Sequence, residues 1–171
     1  MRRLVALVAW LASVPLAASA LTLAPMSLGQ MTEASELVVR ARCVDRAATR
    51  TDDGAIESVV RFEVLETAKG TAEGVVEIRE PGGTVDGTEM VVPGAPRSRV
   101  GDEAVLFLER APDDTLRVVG MALGYLPVVT AGPGASRVRV SPHLGPGFEA
   151  GGLRPVTDVL TRVRTLAERP R

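Results

Sequence analysis

Ala104-Val105-Leu106-Phe107-Leu108 is an uninterrupted apolar run. Successive side chains of a strand point to opposite faces, so a strand with one wet face alternates apolar and polar residues. A run without alternation predicts a central strand covered on both sides.

The segments upstream do alternate. Leu37, Val39, Ala41 and Cys43 share one face of a strand, while Arg40 and Arg42 share the other. Thr51-Asp52-Asp53-Gly54 predicts a turn, with Gly54 free to take positive φ. The next strand covers about residues 56–66, with Val60, Phe62 and Val64 on one face. Lys69-Gly70 turns the chain again, and Val76 and Ile78 alternate with Glu77 and Arg79 in a third strand. Downstream, Pro112-Asp113-Asp114 is a turn, residues 116–121 and 125–130 read as strands, and Val138-Arg139-Val140 as a short one. Helices belong only at the ends. Ser27 and Gln30 have the spacing of a capping box, ahead of Leu28, Met31 and Ala34 at helical intervals. Val156, Val159, Leu160, Val163 and Leu166 form an apolar stripe for docking a final helix on the sheet. Short strands with turn signals every 8 to 12 residues predict a mainly β fold: a small antiparallel OB-like barrel with both helices packed outside.

Length and composition bound the rest. The chain has 171 residues, 46% hydrophobic, 24% charged and 3% aromatic, with a formal charge of −1. That is one ordinary domain, not a disordered chain. It lacks the basic excess of a nucleic-acid binder. Arg2 and Arg3, an uncharged apolar stretch over residues 4–16, and Ala18-Ser19-Ala20 are the three parts of a secretory signal peptide. Residues 1–20 are therefore expected to be a leader, cleaved after Ala20 to give a periplasmic or extracellular chain with no transmembrane segment. Residues 21–171 form a single domain, with its core at 27–141, a Gly/Pro-rich linker at 142–154 and the C-terminal helix at 155–168. Cys43 is the only cysteine, so no internal disulfide is available.

Several short motifs occur in a characteristic order: Glu-Leu-Val-Val at 36–39, Val-Leu-Glu-Thr-Ala-Lys-Gly at 64–70, and Pro-Gly-Gly at 81–83. Val-Pro-Gly-Ala-Pro at 92–96, Val-Gly-Asp-Glu-Ala-Val-Leu-Phe-Leu at 100–108 and Val-Val-Gly-Met-Ala-Leu-Gly at 118–124 complete the pattern. The pattern resembles a group of exported bacterial β-domain proteins of myxobacterial type, in some of which the module precedes a matrixin-type metalloprotease. The layout is also similar to the netrin-like OB-barrels of tissue inhibitors of metalloproteinases, which implies a five-stranded barrel. Those inhibitors hold the protease zinc through an N-terminal cysteine, whereas the expected mature N-terminus here is Leu21. Their disulfides also have no counterpart, so that mode of inhibition is not implied.

None of the chemistry-bearing residues falls into a familiar catalytic pattern. His143 is the only histidine, about a hundred residues from Cys43, which leaves a His/Cys zinc site short of ligands. No Gly-x-Ser-x-Gly elbow accompanies it. Cys43, in phase with Leu37, Val39 and Ala41, reads as a small core hydrophobe. Asp52-Asp53 and Asp113-Asp114 do not fit a calcium loop and read as turn residues. Glu57, Glu63 and Glu66 are strand carboxylates expected at solvent positions. Gly82 to Gly87 is not a phosphate loop, because Thr88 stands where lysine is needed.

Residues 81–99 make the longest irregular stretch inside the barrel, and loops carry function more often than strands do. Pro81, Gly82, Gly83, Pro93, Gly94, Arg97 and Arg99 are the candidate binding surface, with Arg97 and Arg99 as contacts for an anionic group or a partner. The expectation is an exported, non-enzymatic interaction module for a protein or cell-surface partner, with no catalytic residues, metal or cofactor. A protease-inhibitor or pro-region-like accessory domain is the first alternative. An enzyme with an unfamiliar site using Cys43 or His143 is the second.

Overall fold

The computed structural model describes residues 25–130, 135–141 and 152–169. The expected leader, His143 and most of the expected linker lie outside the described residues. The strands are β1 Leu37–Arg50, β2 Ile56–Lys69, β3 Val75–Pro81, β4 Gly83–Val85, β5 Thr88–Met90, β6 Glu103–Arg110, β7 Leu116–Val118, β8 Tyr125–Thr130, β9 Ser136–Val140 and β10 Gly152–Pro155. Helix α1 is Leu28–Ala34 and α2 is Val156–Ala167.

Strands β1, β2, β3, β7 and β6 close into a five-stranded barrel when β6 returns to pair with β1, Leu37 opposite Leu108 through Arg42 opposite Glu103. Four of the five contacts are antiparallel. The fifth, β3 with β7 at Ile78 and Leu116, is parallel. Parity demands it: strand direction cannot alternate all the way around a ring with an odd number of members. The mainly β, OB-like barrel with flanking helices is thus the architecture, with one parallel seam.

The β6 run is the shared wall of two cores. All five residues from Ala104 to Leu108 have no exposed surface. Ala104, Leu106 and Leu108 point into the barrel with Val39, Ala41, Cys43, Val60, Phe62 and Ile78. Val105 and Phe107 point outward, into a second cluster with Met31, Leu126, Leu160 and Val163. That cluster is roofed by α1, α2 and a sheet extension in which β8 pairs with β6, β9 with β8, and β10 with β9.

Both helices form where their patterns place them. Ser27 Oγ accepts from the Gln30 N–H at 3.2 Å and Gln30 Oε1 from the Ser27 N–H at 2.8 Å, closing the capping box. Ala34 is exposed, and buried Thr32 takes its place by donating to the Leu28 carbonyl at 2.8 Å. Val156, Val159, Leu160 and Val163 are buried beneath α2. No helix among the described residues is long and apolar enough to cross a membrane.

Besides the parallel seam, three details differ from the sequence reading. Residues 83–90 form a hairpin, with Asp86 (φ 49°) and Gly87 (φ 75°) in the left-handed turn an Asp-Gly pair favours. The strand expected over 116–121 stops at Val118, because Gly120 and Met121 both take positive φ ahead of a 3₁₀ turn at Met121–Gly124. Residues 152–154, expected in the linker, belong to β10, where Leu153 faces Arg139.

Phe107→Ala should cost about 3–5 kcal/mol in urea unfolding, the range for emptying an aromatic site in a packed core. Val91→Ala, at an exposed position, should stay within about 0.5 kcal/mol. A Phe107→Ala cost near that of Val91→Ala would contradict a doubly covered β6.

Candidate functional site

The site grows from the mouth of the barrel, where β3 ends at Pro81 and residues 82–102 lead to β6 at Glu103. Period two places Glu80 in phase with Val76 and Ile78, hence pointing inward, and it is completely buried. Ser58, in phase with Val60 and Phe62, is buried too. On β1 the inward phase changes. Cys43 pairs with Phe62 and Arg46 with Val60, so three residues of β1 span two of β2. This bulge turns Arg46 inward, where regular alternation from Cys43 would have placed Asp45.

These residues form one polar network. Arg46 Nη1 donates to Glu80 Oε2 at 2.6 Å and to the Ser98 carbonyl at 2.9 Å. Arg46 Nη2 donates to Ser58 Oγ at 3.0 Å, and Ser58 Oγ donates onward to the Gly82 carbonyl at 2.6 Å. Ser98 Oγ donates to the second oxygen of Glu80. Among the described residues, no buried side-chain polar atom lacks a partner. A buried carboxylate is tolerable only under such saturation. The network ties the returning segment to the barrel wall, and a second tie lies beyond it: Cys43 and residues 101–102 exchange backbone hydrogen bonds of 2.8 Å.

Anchored at Ser98, residues 89–92 and 95–100 line an open groove of about 530 Å³. Its floor holds Pro81, Gly82 and Gly83. A Cβ on Gly82 would lie 2.6 Å from the Met90 carbonyl oxygen, and one on Gly83 would lie 2.6 Å from Ser58 Oγ. Both glycines also have positive φ, so no other residue fits without rearrangement. Arg97 and Arg99 stand on the rim and also border a second groove of about 550 Å³, shared with Arg42, Asp102, Glu103 and Tyr125. Pro93 and Gly94 lie outside both grooves; the Gly94 carbonyl accepts from the Ala122 N–H at 2.9 Å. Five of the seven candidate residues therefore meet at one groove.

Two of the acidic groups nearby, Cys43 and Tyr125, are held in their neutral forms. Burial pushes the Cys43 thiol above its ordinary value, and the carboxylates of Glu80 and Asp102 push the same way. Burial pushes half-buried Tyr125 up to about 12, helped by Asp102 and opposed by a hydrogen bond with Ser98. The acidic turns are self-contained. Asp53 accepts from Thr51 Oγ1 at 2.5 Å and Asp113 from Thr115 Oγ1 at 2.6 Å, and these bonds hold both carboxyls below their usual range. Glu57 is not at a solvent position: it is mostly covered, between Arg79 at 3.4 Å and Arg117 at 3.2 Å. Glu66 is likewise partly covered and pairs with Arg164. Among the described residues no cluster of three His, Cys, Asp or Glu could hold a metal ion.

No protein-family model matches this chain, and neither a curated protein nor a solved structure matches it significantly. The chemistry of the groove itself must indicate function.

Arg46→Ala would leave the buried Glu80 carboxylate without its cation. Urea unfolding should show a loss of about 3 kcal/mol, the low end for breaking a buried pair because Arg46 is partly wet. Adding Glu80→Gln should recover part of that loss. A single-variant cost below about 1 kcal/mol would class the pair with exposed ones. Tyr125 is the only tyrosine in the chain, so tyrosinate absorbance reads it directly. With its folded value raised from 10 to about 12, the phenol favours the folded state fully below pH 10. That contribution fades as the pH climbs toward 12, because the unfolded chain ionises first. Tyr125→Phe should flatten this alkaline loss, and a native titration midpoint near 10 would overturn the assignment.

Proposed function

We propose that this chain is an exported, non-enzymatic binding module that engages a protein or cell-surface partner at the groove edged by residues 81–100. One observation carries the reading. Met90, Val91 and Val100 are exposed around a groove whose backbone is anchored by a buried ionic network. Exposed apolar side chains gathered at one concavity mark an interaction surface more often than solvent-facing decoration. The raised Cys43 thiol fits a packing role better than a nucleophilic one.

Export is tested by N-terminal sequencing of the protein recovered from the periplasmic and culture fractions, which should begin at Leu21. Binding is tested by a photo-crosslinking residue placed in turn at Val91, at Val100 and at Leu65, an exposed position outside the groove. Discrete adducts are expected from positions 91 and 100 and not from 65. Equal labelling at all three, or none at 91 and 100, would refute a partner at this groove.

A further inference from the structure

Taking the groove as the binding surface, its chemistry narrows the class of ligand. Many arginines fringing the barrel are closely paired: Arg40 with Glu103 at 2.6 Å, Arg110 with Glu36 at 2.8 Å, Arg117 with Glu57 at 3.2 Å. The groove differs. Arg99 forms no ion pair among the described residues, and Arg97 meets only Glu89, at 3.9 Å, with both side chains more than 60% exposed. Two guanidinium groups thus stand at the rim without a close ion pair among the described residues, beside exposed Met90, Val91 and Val100. The nearest local carboxylate, Asp102, is engaged by the Arg99 backbone N–H at 3.0 Å.

The backbone adds a second requirement. Among the described residues, strand β5 pairs with β4 alone. Across the two-residue turn Val85 faces Thr88, and Gly83 faces Met90, so these pairs face each other's hydrogen-bonding groups. The intervening Glu89 turns its N–H and C=O to the opposite, unpaired edge. A strand edge of this kind recruits an extended chain through main-chain hydrogen bonds.

We propose that the groove takes an extended peptide segment of a partner protein, one whose carboxylates meet Arg97 and Arg99 and whose apolar side chains pack on Met90, Val91 and Val100, along the free edge of β5. A uniform polyanion fits less well. The apolar positions have no use for a sugar-phosphate chain, and the rim carries Glu89 as well as the arginines. Glu89, 3.9 Å from Arg97, becomes a weak internal competitor for a ligand carboxylate.

Protein recovered from the exported fraction is titrated with fluorescein-labelled peptides of four Asp-Val, four Lys-Val or four Asp-Gly repeats, and with heparin. Affinity is read by anisotropy and location by backbone amide shifts. The Asp-Val peptide should bind at least about tenfold tighter than the Lys-Val peptide, and tighter than Asp-Gly, as charge and apolar complementarity together require. Its shifts should fall on residues 81–100. Arg99→Glu should weaken it about tenfold with an unchanged urea midpoint, and Glu89→Gln should tighten it about two- to fivefold. Equal binding of Lys-Val, preference for heparin, or indifference to Arg99→Glu would overturn acidic-peptide recognition; if shifts still fell on 81–100, the groove itself would stand. Shifts confined elsewhere, or none with any probe at about 1 mM, would overturn both.

Discussion

Residues 104–108 of β6 are dry on both faces, and that burial requires a core on each side of one strand. The barrel supplies the first: Ala104, Leu106 and Leu108 complete an interior already begun by Val39, Val60 and Phe62. The second has to come from outside the ring. Helices α1 and α2 and the β8–β10 extension bring Met31, Leu126, Val138 and Leu160 over Val105 and Phe107. Each large side chain in such a wall contributes on the order of 1.5–3 kcal/mol when buried. The elements at both ends of the described chain are therefore part of the stabilising structure, although the ring closes without them.

Closing a ring of five also shapes the mouth. Strand β7 is short, and it meets β3 at only one residue pair, Ile78 with Leu116. The end of β3 beyond that pair would present an inward Glu80 to an incompletely covered opening. The returning segment covers it. Ser98 reaches in to hydrogen-bond Glu80, and Arg46 neutralises the carboxylate while holding the Ser98 carbonyl. In an extended chain, neighbours of an inward residue point outward. Fixing Ser98 inward therefore sets Arg97 and Arg99 on the solvent side, where both border the two grooves.

The fold was legible because its signals are local and periodic. The unbroken run at 104–108, the alternation of Leu37, Val39 and Ala41, and the stripe beneath α2 each report burial directly. The groove was legible as a place, through the Pro and Gly density of residues 81–99, but its anchors were not. Glu80 and Ser58 did carry a signal, since each stands in the inward phase of its own strand. Arg46 carried none: only the bulge after Cys43 turns it inward, and a bulge is set by pairing with β2. Ser98 depends on Arg46 and Glu80, so it could not be found before them. The 86–87 turn was visible as Asp-Gly, yet strands of three residues are too short to show alternation.

An anchored loop of this kind has a specific consequence for binding. Ordering a long side chain or a loop on association costs about 0.5–1.5 kcal/mol for each immobilised group. Here the backbone that carries Arg97 and Arg99 is already held at Ser98 by a buried ion pair and at residues 101–102 by Cys43. The guanidinium groups are exposed while their backbone attachment is tethered on both sides of Arg99. In the proposed binding role, a groove organised this way presents its two cations from a tethered backbone, so less loop order has to be gained when a chain binds. In that role the buried carboxylate of Glu80, costly in a core of this size, supports the loop backbone through Ser98 as well as the stability of the barrel mouth.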